Sequence, residues 1–506
     1  MVECRRSGPW KKCIAVFGTG SDVGKSIVAA AICRSLSDRG IRVAPFKAQN
    51  MSNNSGVTAE GMEMGRAQIV QAEAAGIAPH VDMNPVLLKP TGETGSQVVL
   101  NGRPYENSTG STYHTKRAFY FNEACRAYDR LADNYDYIIM EGAGSCAEVN
   151  LMQSDIVNFP MAEYADADVI LVADIHRGGV FGQIVGTLEC LPPEYRNRIK
   201  GFVINRFRGD ISLFSGGVQW IENKTGKPVF GVMPWYTGFR IDAEDSVEIE
   251  ETLPAAGLDS ARPAIAVIRL PHISNFTDFH GLTAIQGLQV IFIKQPCDLS
   301  VFRAVILPGT KNTRADLNWL RQVGLETAIQ DYAGAGGVIL GVCGGFQMLG
   351  KTIKDPMGIE DNKGCTSGLH LLDVETTILA DKTTTRSSFT WNSIQGTGYE
   401  IHMGETKRGS GQPMCQISAR NQIACCENDG AVSGNHKIFG TYIHAFFDNP
   451  DIVTAWLEMI GLNSLSRRNR KHLPDKNRDY DRLKNHFEKY VHLDFDEKYK
   501  NQTQKV

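Results

Sequence analysis

The stretch Val338-Ile339-Leu340-Gly341-Val342-Cys343-Gly344-Gly345-Phe346-Gln347-Met348 sets a thiol between an apolar run and a helix-like run, with small residues around it. Strand, sharp turn and helix make the setting of a nucleophile elbow. Glycines permit strained backbone and close approach, and a helix N-terminus favours thiolate over thiol. Farther along, Phe439-Gly440-Thr441-Tyr442-Ile443-His444 brings an imidazole to the end of another strand-like run. A thiol nucleophile, Cys343, and a general base, His444, are the parts of covalent acyl chemistry.

A different chemistry is written near the start. Gly18-Thr19-Gly20-Ser21-Asp22-Val23-Gly24-Lys25-Ser26 follows the apolar run Cys13–Phe17 and precedes the helical run Ile27–Ser37. Its glycines let backbone N–H groups converge on phosphate oxygens, Lys25 reaches the outer phosphates, and the Ser26 hydroxyl suits magnesium. Gly18, Thr19, Gly20, Gly24, Lys25 and Ser26 are thus expected to bind ATP, although five residues rather than the usual four separate Gly18 from Gly24. The run Tyr137-Ile138-Ile139-Met140 ends in Glu141-Gly142-Ala143-Gly144. That places a carboxylate at the C-terminal edge of a parallel sheet, where open α/β folds bind ligands, and makes Glu141 a magnesium ligand or water anchor. Lys47 lies just past Arg42–Phe46, a strand expected to neighbour the P-loop strand, and its cation can neutralise phosphate charge in transfer. Gln49, Asn50, Asn53 and Asn54 follow as an uncharged polar cluster.

These groups need rigid elements behind them. Strand-like runs recur at Cys13–Phe17, Arg42–Phe46, Tyr137–Glu141, Val169–Asp174 and Phe202–Asn205, with helical pattern between several of them, which predicts a parallel sheet covered on both faces. The pattern halts near Glu248–Pro263, around Leu253-Pro254-Ala255-Ala256-Gly257, a linker composition. It resumes at Ala264–Leu270, Val290–Ile293, Ala304–Leu307 and Val338–Gly341, with Arg314–Tyr332 reading as helix. The expected organisation is two tandem α/β domains, 1–250 and 264–462, joined by a linker over 251–263 and followed by a helical tail over 463–506. In that tail Tyr480, Leu483, Phe487 and Val491 fall at helical spacing, an amphipathic helix able to dock on the body and assigned no chemistry.

The chain's 506 residues leave room for more than one core, and 42% apolar with 22% charged residues excludes disordered, collagenous and coiled-coil classes. Lys and Arg total 53 against 56 Asp and Glu, so no basic field argues for nucleic acid or an anionic membrane. Twelve cysteines without a C-x-x-C pair speak against a disulfide framework or a zinc knuckle. No apolar run approaches the roughly 20 residues of a bilayer span, and the short apolar stretch after Lys12 does not make a signal peptide. A cytoplasmic protein with small-molecule partners is expected.

Taken together, the loop and the Glu-Gly-Ala-Gly strand end resemble the dethiobiotin synthetase branch of P-loop enzymes, which activate a carboxylate as an acyl phosphate. Lys47-Ala48-Gln49-Asn50-Met51-Ser52-Asn53-Asn54-Ser55, Asn84-Pro85-Val86-Leu87-Leu88-Lys89-Pro90 and Glu148-Val149-Asn150-Leu151 sharpen this to a resemblance to the adenosylcobyric acid synthase family, the glutamine-hydrolysing amidases of the corrin ring. Asp174-Ile175-His176-Arg177-Gly178-Gly179-Val180-Phe181 and Asn205-Arg206-Phe207-Arg208-Gly209-Asp210 fit as well. The Cys343 and His444 motifs resemble those of class I glutamine amidotransferases, with a flavodoxin-like fold.

The resemblance implies that Cys343 attacks the glutamine amide, that His444 takes and returns the proton, and that Gly344 and Gly309 supply oxyanion N–H groups. It implies ATP, Mg2+, glutamine and a corrinoid as ligands and Lys47 and Asn205 among the ATP-binding residues; Gln49, Asn50, Asn53 and Asn54, by their clustering just after the strand expected beside the P-loop, are candidates for part of the corrinoid lining. The expected reaction is amidation of the b, d, e and g carboxylates of adenosylcobyrinic acid a,c-diamide. The nearest alternative is cobyrinic acid a,c-diamide synthase, whose loop after the second strand is acidic where Lys47–Ser55 carries amides. Many amidotransferases place Glu two residues after the histidine; Phe446 stands there, so a Cys–His dyad is expected. Glu400 and His402, in Gly398-Tyr399-Glu400-Ile401-His402-Met403-Gly404, alternate on an expected strand and should share a face.

Overall fold

Six apolar strands pair into a parallel sheet in the order Val229–Pro234, Ile199–Phe207, Asp168–Asp174, Cys13–Gly18, Tyr137–Glu141, Val43–Phe46. Residues of the Cys13–Gly18 strand alternate between two cores. Cys13, Ala15 and Phe17 pack on one face, and Ile14 and Val16 on the other with the Lys25–Asp38 helix. Burial on both faces is why the sequence reads as unbroken apolar runs rather than alternation. One expectation is corrected: the Val43–Phe46 strand does not neighbour the P-loop strand, because Tyr137–Glu141 lies between them. This computed structural model describes residues 12–91, 95–236, 238, 258–259, 261–360, 362–469 and 476–495, so most of the expected linker, 251–263, lies outside the described residues.

The second domain repeats the logic with the order Gln289–Ile293, Ala264–Ile268, Ala304–Leu307, Ile339–Val342, Ile438–Thr441, Ala431–Val432, parallel except for the last pair. The helix expected over Arg314–Tyr332 is two helices, Thr313–Val323 and Leu325–Gly334. Gly324, at φ 81°, ends the first in the left-handed conformation that glycine adopts freely.

Two further sheets lack so clear a signal in the sequence. Gln49–Met51, Val86–Pro90, Gly95–Leu100 and Arg103–Thr109 form a four-stranded sheet in that order. A long hairpin, Val374–Trp391 with Ile394–Arg408, anchors a seven-stranded sheet and turns at Asn392-Ser393, both with positive φ, the two-residue connection that matches strand twist. The tail helix Lys476–Tyr490 docks as the spacing implied. Tyr480, Leu483, Phe487 and Val491 are buried in the core shared with the Lys25–Asp38 helix, and Arg34 pairs with Asp481 at 2.6 Å. Among the described residues no helix is long and apolar enough to cross a membrane.

Candidate active site: two cavities on opposite faces of one sheet

The turn after the Cys13–Gly18 strand hands the chain to the Lys25–Asp38 helix through Gly24, whose φ is 97°. A β-carbon there would lie 2.1 Å from Asn205 Nδ2, so both conformation and space demand glycine. Lys25 Nζ donates to the carbonyls of Gly20 (2.8 Å) and Gly144 (2.9 Å), which fixes the ammonium over the loop. Glu141, completely buried, accepts from Ser26 Oγ and Lys47 Nζ on one oxygen, both at 2.9 Å, and from Gln68 and Gln71 on the other. Lys47 thus reaches the phosphate side by way of Glu141 even though its strand is not adjacent to the loop strand.

A cavity of about 700 Å³ opens over this cluster, lined by Lys25, Ser26, Lys47, Gln49, Asn50 and Arg206 among others. Of the amide cluster, Gln49 and Asn50 reach the cavity, whereas Asn53 and Asn54 are not among its lining residues. Asn54 Oδ1 instead accepts from the Thr277 hydroxyl of the second domain at 3.2 Å. Asn205 donates to the Val23 carbonyl at 2.9 Å and so braces the loop from behind. Ser26 and Glu141 are paired hard-oxygen donors and suit magnesium. Among the described residues no group of three His, Cys, Asp or Glu forms a metal cage.

In the second domain Cys343 sits between the Ile339–Val342 strand and the Gly344–Leu349 helix at φ 52°, ψ −110°, a conformation side chains rarely adopt. Its N–H is held by the Thr441 carbonyl at 2.8 Å, and the elbow is possible because Gly344 lets the chain approach Thr310; a β-carbon there would come within 2.6 Å of its methyl. Gly309 passes beside His444, with its β-carbon position 3.0 Å from the ring Cε1. Gly344 follows the thiol directly and lines its cavity, and Gly309 runs beside the imidazole.

His444 Nδ1 lies 2.7 Å from Asp278 Oδ2, while the other oxygen of Asp278 accepts from Ala445 N–H at 2.8 Å. The expected unassisted dyad is corrected here: a carboxylate does support the histidine, from the segment Phe276–Phe279 at the far end of the domain sequence rather than from two residues downstream. Nothing in the local sequence around His444 reveals it, since the pairing is made by the fold. Burial works against the imidazolium, but Asp278 and the Cys343 sulfur outweigh it and push His444 up to about 10. The Cys343 thiol donates to the Ile401 carbonyl at 3.4 Å. Glu400 and His402 do share a face. Glu400 is buried on Arg420 (3.0 Å) and Ser387 (2.6 Å), while His402 lines the thiol cavity and stacks on Tyr442 at 3.7 Å.

The thiol cavity, about 80 Å³, is lined by residues of both domains: Cys343, Gly344, Lys311 and Lys382 from the second and Lys89, Gln97 and Asn107 from the first. Those last three are cross-strand neighbours in the four-stranded sheet. Leu88, Ser96 and Ser108, one residue away on the same strands, line the larger cavity. Because neighbouring residues in a strand face opposite ways, a single sheet separates the thiol cavity from the phosphate cavity.

Residues 14–248 match the family described as the CobQ/CobB/MinD/ParA nucleotide binding domain, and residues 264–452 the CobB/CobQ-like glutamine amidotransferase domain. Proteins named cobyric acid synthase align along the chain. That of Chlorobium phaeobacteroides (strain BS1) is 47% identical, covering 95% of this chain and 97% of the relative. That of Chlorobaculum tepidum is 49% identical over 88% and 90%, and that of Listeria innocua 49% over 86% and 85%. The P-loop cavity and the thiol cavity thus occur on one chain in the order and over the length of these relatives, and the chain belongs to the cobyric acid synthase family.

Proposed function

We propose that the chain amidates a corrinoid in cobalamin biosynthesis. Glutamine supplies ammonia at Cys343, and ATP activates the carboxylates at the b, d, e and g positions of adenosylcobyrinic acid a,c-diamide. The observation that carries this reading is the pair of cavities on opposite faces of one sheet, one built around Lys25 and Glu141, the other around Cys343 and His444.

In the thiol cavity His444 takes the proton of Cys343 at Nε2, Asp278 keeps the ring oriented through Nδ1, and the sulfur attacks the γ-amide carbon. The N–H groups of Gly344 and Gly309 receive the developing oxyanion. His444 returns the proton to the departing nitrogen, ammonia leaves, and water clears the γ-glutamyl thioester.

In the larger cavity the backbone of Gly18 to Gly24 cradles the phosphates, and Lys25 and Lys47 neutralise charge as the γ-phosphoryl group passes to a corrinoid carboxylate. Ser26 and Glu141 would hold magnesium, which supplies charge neutralisation on the phosphates. Ammonia then displaces phosphate from the acyl phosphate, forming the amide. Gln49 and Asn50 offer neutral hydrogen-bonding groups to a ring whose edge changes from carboxylate to amide with each round.

The deciding experiment incubates the protein with ATP, magnesium, glutamine and candidate corrinoids and weighs the products. Stepwise conversion of the a,c-diamide, with four ATP and four glutamine consumed per product, is expected. Amidation of cobyrinic acid at a and c with the diamide left untouched would overturn the assignment.

A further inference from the structure

Among the described residues, the thiol cavity holds more positive charge than its carboxylates balance. Lys89, Lys311 and Lys382 all line it, and the acidic groups facing them are Glu63 and Glu360. Glu63 is fully buried and divided. One oxygen lies 2.6 Å from Lys89 and also accepts from the Ser55 hydroxyl at 2.8 Å, and the other takes Lys382. Glu360 is engaged elsewhere, by the Thr313 hydroxyl at 3.0 Å and the Arg314 N–H at 3.1 Å. Among the described residues Lys311 is left with a neutral partner: its ammonium donates to Gln97 Oε1 at 3.0 Å, and that same oxygen receives Lys382 at 3.3 Å.

A buried ammonium with only a shared amide oxygen for company is costly, and a chain retains such a group where a ligand brings the missing anion. If Cys343 works on glutamine, the ligand entering this cavity is a zwitterion whose γ-amide sits at the sulfur and whose charged end lies beyond it. The lining offers that end an uncompensated cation, Lys311, and a carboxylate, Glu360. We propose that Lys311 reads the α-carboxylate of glutamine and that Glu360 faces its α-ammonium, which makes these two residues the specificity determinants of the thiol cavity. The inference rests on the glutaminase reading of Cys343.

Proton chemistry adds a signature. Burial, with Lys382 and Lys89 nearby, pushes the Lys311 ammonium down to about 7 against the opposing pull of Glu63 and Glu360. An arriving carboxylate favours the charged form, so glutamine binding takes up a proton on the alkaline side of that value, and KM for glutamine rises with pH there. A competing role for the excess charge is to act on the Cys343 sulfur, with which Lys382 interacts. That role would affect every amide substrate alike.

The test compares L-glutamine with 4-aminobutanamide, which lacks the carboxylate, and with glutaramic acid, which lacks the amine, on the full chain and on Lys311→Met and Lys311→Arg. In the native protein kcat/KM should fall by roughly 100-fold or more for 4-aminobutanamide, because a site built for a polar group rejects the analogue without it. In Lys311→Met the KM for glutamine should rise by about tenfold or more with kcat little changed, and the penalty for losing the carboxylate should nearly vanish while that for losing the amine persists. Lys311→Arg should restore most of the difference. Native protein that hydrolyses 4-aminobutanamide as well as glutamine overturns the inference without any variant. So does a Lys311→Met protein, folded by its ammonium-supported amidation, that keeps the full carboxylate penalty. Absence of glutamine hydrolysis in the native protein would instead remove the glutaminase reading itself.

Discussion

Thr277 donates its hydroxyl to Asn54 Oδ1 at 3.2 Å, and the next residue, Asp278, receives His444. Asn275, two positions before Thr277, accepts the Ser55 N–H at 3.0 Å. The amide-rich segment that begins beside the P-loop cavity at Lys47 therefore ends by clamping the loop that orients the imidazole of the other site. Asn54, expected to line a substrate cavity, belongs to this clamp.

The Asp278 carboxylate should matter as charge and not only as a hydrogen-bond partner. Asp278→Asn preserves size while removing the counter-ion of the imidazolium, so glutamine hydrolysis should fall by roughly 100- to 10,000-fold. Amidation supported by ammonium salts should continue. Parallel assays with the two nitrogen sources check this; equal loss of both would mean that Asp278 holds the whole chain together rather than the histidine.

Cys343→Ala should abolish glutamine-dependent turnover and leave ammonium-supported amidation, since only the nitrogen source is lost. His444→Ala should follow the same pattern, with some thioester still detectable by mass spectrometry. Loss of both activities in a folded variant would show that the two cavities do not work separately.

Lys25→Ala and Glu141→Ala should give the reverse. Ligation stops with either nitrogen source because phosphate neutralisation and metal placement go together, while hydrolysis of glutamine persists. Product analysis by mass spectrometry reads the outcome, and full ATP-dependent amidation by both variants would take the P-loop out of the mechanism.

His444 also links stability to pH. Its folded value is raised to about 10 against roughly 6.5 in an unfolded chain, so the folded state binds an extra proton between the two. The stabilisation is fully present below about pH 6.5 and is lost as pH rises through 10. Denaturant unfolding at pH 6.5 and 9.5 should therefore show a larger alkaline loss of stability for the native protein than for His444→Gln. Parallel losses in the two would separate the imidazolium from the pH dependence.

The sequence by itself determined the two domains, the loop from Gly18 to Ser26, the elbow at Cys343 and the strand-end histidine. Each is a local pattern: an apolar run buried on both faces, a glycine turn, a helix start, all within about a dozen residues. The docked tail helix was legible for the same reason, from Tyr480, Leu483, Phe487 and Val491 at one spacing. Tertiary structure alone decided what depends on separate segments meeting. It inserted the Tyr137–Glu141 strand beside the P-loop strand, gave His444 its Asp278, and sent Asn54 to Thr277. It also stood Lys89, Gln97 and Asn107 against the thiol cavity with Leu88, Ser96 and Ser108 behind them. A carboxylate pairs with whichever cation the fold brings within reach, and a strand's two faces serve whatever packs on each. Neither is encoded in the residues next door.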